Sequence, residues 1–192
     1  MQFLLDLFEK HLNIRDKILQ PKKINMLLIL MHSQGGPMQN LRFSEVIETA
    51  IQREEAAYAF YMDLFNQIED NSVKDTLHWI AGEEKKHKEF LVKYRDGQLA
   101  ADTLEMKKVV HYQVAEHLNE PAVEKEMRSE DVFLVASHRE LRSYAFYSDL
   151  AGMHPSGELK DILLKMAQEE LKHKEKMEYL YANTAFPQTD GG

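Results

Sequence analysis

The sequence predicts an all-α protein: a four-helix bundle made of two repeated helical hairpins joined by a long crossover. Three observations predict it. Glu84-Lys85-Lys86-His87 and Glu170-Leu171-Lys172-His173 carry one Glu-x-x-His pattern 86 residues apart (170 − 84). A lone glutamate, Glu54 or Glu140, precedes each by 30 residues (84 − 54 and 170 − 140). Residues 44–94 laid on 130–180 without a gap match at about 20 of 51 positions, where average residue usage would give about three. The matches include Tyr58-Ala59-Phe60-Tyr61 with Tyr144-Ala145-Phe146-Tyr147, and Lys86-His87-Lys88-Glu89 with Lys172-His173-Lys174-Glu175. Two copies of one hairpin can pack about a pseudo-two-fold axis, which places equivalent side chains on both sides of a shared site.

The elements follow in order. Residues 1–40 have no counterpart in the repeat and form an N-terminal extension. Within it Phe3, Leu4, Leu7 and Phe8 give a weak helical stripe that Pro21 ends. Met38 directly follows the breaker Gly35-Gly36-Pro37 and is read as the natural start, the alternative being a genuine arm or oligomer contact. The bundle is expected over residues 41–183. Its first helix runs from about Phe43 to Ile68, with Ile47, Ala50, Glu54, Ala57, Tyr61 and Leu64 on one stripe at the 3.6-residue period. Asn71-Ser72 is expected to turn the chain and cap a second helix over about 73–95, facing inward with Leu77, Ala81, Glu84, His87, Leu91 and Tyr94. Gly97 is expected to stop it. Residues 97–128 are the crossover, part of it helical. A third helix over about 130–153 presents Phe133, Ala136, Glu140, Ser143, Tyr147 and Leu150. After the turn His154-Pro155-Ser156-Gly157, a fourth over about 158–182 presents Leu159, Leu163, Met166, Glu170, His173 and Met177. A disordered tail is expected over 184–192.

Composition excludes several classes. The 192 residues suffice for one domain with a substantial core. A net charge of −8 argues against a nucleic-acid partner, whose footprint would be basic. There is no cysteine, so thiolate zinc sites, iron–sulfur clusters and rubredoxin-type iron are excluded on this chain. No apolar run approaches the roughly 20 residues of a membrane span, and a cytoplasmic location is expected.

Glu at i and His at i+3 are neighbours on a helix face. One helix can thus offer a carboxylate and an imidazole to one ion while the carboxylate bridges to another. The expected metal ligands are Glu54, Glu84, His87, Glu140, Glu170 and His173, with Glu84 and Glu170 bridging; this is the ligand set of di-iron carboxylate bundles. Four carboxylates carry −4, which two divalent ions cancel; without metal their burial would be costly or force protonation. Oxygen-rich donors with imidazole suit iron, with manganese possible, and zinc would usually take fewer ligands. Tyr61 and Tyr147 lie two turns after the lone glutamates and are positioned to hydrogen-bond a ligand carboxylate across the core. Tyr58 and Tyr144 are expected in the core, Trp79 in packing. Glu83 and Glu169 sit about 100° round the helix and are read as solvated or as neighbours supporting the ligands. His78, His111, His117, His138 and His154 are read as surface residues. Glu55 is not a candidate, because its repeat partner is Leu141.

The pattern Glu54-x-x-Ala57-x-x-Phe60-Tyr61 with Ala81-x-Glu83-Glu84-x-x-His87, repeated as Glu140-x-x-Ser143-x-x-Phe146-Tyr147 with Ala167-x-Glu169-Glu170-x-x-His173, resembles the rubrerythrin branch of the ferritin-like superfamily. The resemblance covers about residues 41–183. It implies a ferritin-like bundle with a non-haem di-iron centre, often a homodimer, that reduces hydrogen peroxide or oxidises ferrous iron with O2 or peroxide. Two departures matter. Rubrerythrins proper feed electrons through a rubredoxin domain, for which this chain has no cysteines, so an external electron donor is expected. They also typically carry an extra glutamate three residues after the third-helix ligand, where this chain has Ser143. The leading expectation is a di-iron oxidoreductase acting on peroxide or O2. Iron storage without turnover, and a di-iron oxygenase acting on an organic substrate, are the alternatives.

Overall fold

The computed structural model describes residues 43–99 and 112–186. The N-terminal extension, including Met38, and most of the expected tail lie outside them, as does His111. The described residues form five helices and no strand: α1 (Phe43–Gln67), α2 (Asn71–Arg95), the short α3 (Val114–His117), α4 (Ser129–Gly152) and α5 (Glu158–Ala185). α1 packs along α2, and α4 along α5, as two hairpins.

The helix ends have local causes. α2 is capped by Asp70, not by Ser72 as the sequence suggested: its Oδ1 accepts from the backbone N–H of Ser72 at 2.8 Å and of Val73 at 3.2 Å. The other carboxylate oxygen accepts from Ser129 Oγ at 3.0 Å, tying the start of α2 to the start of α4. Gly97 ends α2 at φ +71°. Its N–H reaches Tyr94 O, and Gln98 N–H reaches back to Lys93 O at 2.8 Å, the Schellman pattern that a left-handed glycine permits. α5 continues two residues into the stretch expected as tail, and Thr184 Oγ1 donates to Leu180 O at 2.8 Å.

The apolar stripes fill two clusters. One gathers Val46, Ile47 and Ala50 of α1, Leu91 and Tyr94 of α2, Tyr147 of α4, and Leu163 and Met166 of α5. The other gathers Tyr61 and Leu64, Leu77 and Ala81, Phe133 and Ala136, and Met177. In every long helix the metal-ligand candidates fall between the two stretches. The core therefore consists of two apolar plugs with a polar layer sealed between them. Leu150 and Leu159 are only partly buried at its margin. Tyr58 departs from the expected core position at 39% exposure.

The described part of the crossover is held by charge. Arg142 makes a bidentate pair with Glu120 at 2.6 and 3.1 Å. Lys174 of α5 has no exposed side-chain surface and pairs with Glu116 of α3 and Glu178 of α5, each at 3.0 Å. Glu178 and Glu175 in turn accept from the backbone N–H of Ala115 and Tyr112, both at 2.7 Å. His138 faces this strap half-buried, so it is not the surface residue expected; burial pulls its imidazole below its ordinary pKa.

Candidate metal centre

All six candidate ligands are buried, none more than 5% exposed, and they converge on one layer. His87 Nδ1 lies 3.2 Å from Glu170 Oε1 and 3.5 Å from Glu54 Oε2. His173 Nδ1 lies 3.1 Å from Glu84 Oε1 and 3.5 Å from Glu140 Oε2. Each imidazole thus meets the lone glutamate of its own hairpin and the motif glutamate of the other. The two rings stack across the axis with centroids 5.1 Å apart and planes 15° apart. Donor atoms of Glu84, His87, Glu170 and His173 all fall within 4.8 Å of one another.

Tyr61 Oη donates to Glu140 Oε1, and Tyr147 Oη donates to Glu54 Oε1. Each tyrosine therefore reaches the lone glutamate of the opposite hairpin. It occupies one carboxylate oxygen and leaves Oε2 turned toward the histidine. Arg53 and Arg139 precede the lone glutamates and stack on Phe146 and Phe60 at 4.5 and 4.3 Å. Sequence reasoning passed over them, although their match in the gapless repeat was a usable signal. Trp79 packs against the second apolar cluster, as expected, and also stands edge-on to His173 at 5.7 Å with Lys176 Nζ over its ring at 3.1 Å. Glu83 and Glu169 are partly buried and bind Lys86 and Lys172 at 2.6 and 2.5 Å. Glu55 pairs with Lys88 at 3.1 Å outside the bundle.

The electrostatics follow from burial and crowding. Burial, then repulsion from Glu140 and Glu54, pushes the Glu84 carboxyl well above its ordinary pKa. Burial and Glu84 do the same to Glu170. Burial would also raise Glu54 and Glu140, but the histidines beside them and the hydrogen bonds from the tyrosines outweigh it and lower both. Burial pulls His87 down, yet Glu170 and Glu54 raise it well above its usual value. Burial raises both tyrosines, which stay protonated donors.

The donor set fits metal. Glu54 Oε2, Glu84 Oε1, Glu140 Oε2, both oxygens of Glu170, and Nδ1 of His87 and His173 are buried without a hydrogen-bond partner. Orphaned polar atoms are rare in folded proteins, and here they gather in one place with lone pairs that a cation would satisfy. The rubrerythrin family model matches residues 45–181. The chain belongs to the rubrerythrin family. Membership and the buried Glu/His cluster agree on a ferritin-like core that could hold metal. No curated protein and no solved structure matches the chain. No helix among the described residues is long and apolar enough to cross a membrane.

Proposed function

We propose that the chain is a non-haem di-iron oxidoreductase that reduces hydrogen peroxide or oxidises ferrous iron with O2 or peroxide. Glu54, Glu84, His87, Glu140, Glu170 and His173 would hold two iron ions between them. The observation that carries the reading is the set of orphaned buried donor atoms facing one another from four helices. Iron so held supplies one electron per ion, enough with two protons to take one hydrogen peroxide to two waters. The chain's own residues bind and orient. Tyr61 and Tyr147 fix Glu140 and Glu54 so that one oxygen of each faces inward. The two apolar clusters exclude bulk water above and below the layer, which strengthens every charge interaction inside it. An external donor restores the ferrous state, and the working unit is a homodimer in the cytoplasm.

Anaerobic loading with two ferrous ions per chain, then rapid mixing with H2O2 or O2 under near-ultraviolet absorbance, tests this. Oxidation of two irons per peroxide is expected, and a chain that takes up no iron would overturn it. Ser143 stands where the family's extra glutamate is expected, opposite Ala57 in the repeat. This near-symmetry favours direct oxidation by O2 as the second reading, for which O2 would react at least as fast as peroxide.

A further inference from the structure

Arg53 is a charged group beside the central layer with a buried donor that no hydrogen bond meets. Its guanidinium lies 4.5 Å over the Phe146 ring, half-buried in the seam between α1 and α4. Its only hydrogen bond within the described residues goes from Nη2 to Ser143 Oγ at 3.3 Å. Its Nε–H is buried with no acceptor. A guanidinium carries five donors in a planar fork; here one meets Ser143 and another is buried unmet. The carboxylates that act on it, Glu54 and Glu170, do so through space and belong to the metal layer, while the charge of Arg139 across the seam opposes it.

We infer that Arg53 and Ser143 form a binding site for a small oxyanion or carboxylate in the α1/α4 seam, with Arg139 adding positive potential from the other repeat. The fork matches two oxygens of a carboxylate or phosphate. Stacking on Phe146 fixes its plane in advance, so little freedom is lost on binding. Ser143 supplies a hydroxyl that donates to the same anion while accepting from Arg53. The position explains why serine stands here: a carboxylate at 143 would take up the fork that the serine leaves open. Binding itself does not depend on the metal reading. The further role, anchoring the acidic group of a reactant beside the metal layer, does rest on it.

The test uses the full chain at measured metal content. Inorganic phosphate and acetate are titrated at constant ionic strength against chloride, with calorimetry and thermal denaturation as readouts. Saturable binding is expected, and Arg53→Met should weaken it by about tenfold or more, the scale of one lost charge-assisted hydrogen bond. Arg53→Lys, which keeps charge but loses the fork, and Ser143→Ala should each weaken it several-fold if Arg53→Met fails to fold. Arg142→Met, whose charge serves the crossover, should leave the affinity within about twofold. Binding of phosphate alone assigns the site to a free oxyanion, and binding of acetate as well extends it to organic acids. The inference is overturned if neither anion binds beyond the chloride control, or if binding persists in Arg53→Met, which would place it on the metals. Iron uptake is read separately, so failure here and failure of the di-iron reading are distinct results.

Discussion

Replacing Glu170 by glutamine should move the stability of the protein in opposite directions with and without metal. Both Glu170 oxygens are buried without a hydrogen-bond partner, and Glu84 and the other site carboxylates crowd it. In the metal-free chain burial and the crowding carboxylates make Glu170 keep its proton, so folding at neutral pH must take up a proton that glutamine, at nearly constant volume, does not need. Removing that cost is neutral to stabilising by about 1–4 kcal/mol. At about 2–4 °C per kcal/mol for a chain of this size, the metal-free variant should melt level with wild type or higher, by up to about 16 °C. With metal the order inverts. A site held at a thousand times its Kd contributes about 4 kcal/mol, so ferrous or manganous ion should raise the wild-type Tm by about 8–16 °C per site. The variant, having lost one of the four carboxylates of the layer, should forgo most of that. The assay is anaerobic differential scanning calorimetry of both proteins with and without metal, alongside metal analysis. A Glu170→Gln protein that binds two metals with an undiminished Tm gain would refute the reasoning. So would one that is markedly less stable than wild type when metal-free, since Glu170 would then be a structural residue.

Three further outcomes are expected. Tyr61→Phe and Tyr147→Phe each remove a hydrogen bond to a buried carboxylate, worth about 1.5–3 kcal/mol; each should lower metal affinity by about tenfold, equally for the two, as read by competition with a chelator. Lys174→Met leaves Glu116, Glu175 and Glu178 without their shared cation and should cost about 3–5 kcal/mol, seen as a lower Tm and faster proteolysis at the crossover. Lys174 is raised in the fold by its carboxylate partners despite burial, so its contribution is complete below the ordinary lysine pKa and is lost as pH rises through the folded value; wild type should lose stability at alkaline pH more steeply than the Met variant. Loading metal at neutral pH should release protons, because Glu84 and Glu170 hold theirs well above the ordinary carboxylate range; a weakly buffered titration that stays at constant pH would contradict this, and affinity should fall as pH falls.

The polar layer was legible in the sequence for a physical reason. Only a metal site, or something as demanding, makes glutamates such as Glu54 and Glu140 keep helical phase with Leu64 and Ala136, and the repeat doubled that evidence. Lys174 shows where local reading stops. Lys86-His87-Lys88-Glu89 and Lys172-His173-Lys174-Glu175 are the same four residues, yet Lys88 is partly exposed and pairs with Glu55 while Lys174 is fully enclosed. What separates them is where the crossover comes to rest, a tertiary fact that four residues cannot encode. The cap of α2 was misplaced by two residues for a milder reason. Asp70, Asn71 and Ser72 are all competent caps, and only the bond from Ser129 shows that Asp70 serves both hairpins. His138 was misread because it faces the crossover, and no pattern on its own helix marks that contact.

Because each histidine meets the motif glutamate of the opposite hairpin, neither hairpin owns a complete binding position. The two halves are keys to each other's locks. Cut at the crossover, they would each keep half of every ligand sphere, and an added ion would be the cement that rejoins them. The same exchange means that damage on one side is felt on both: losing Glu84 strips a donor from the pocket of His173, on the far hairpin, while the helix that bore it keeps its own histidine supplied from across the axis.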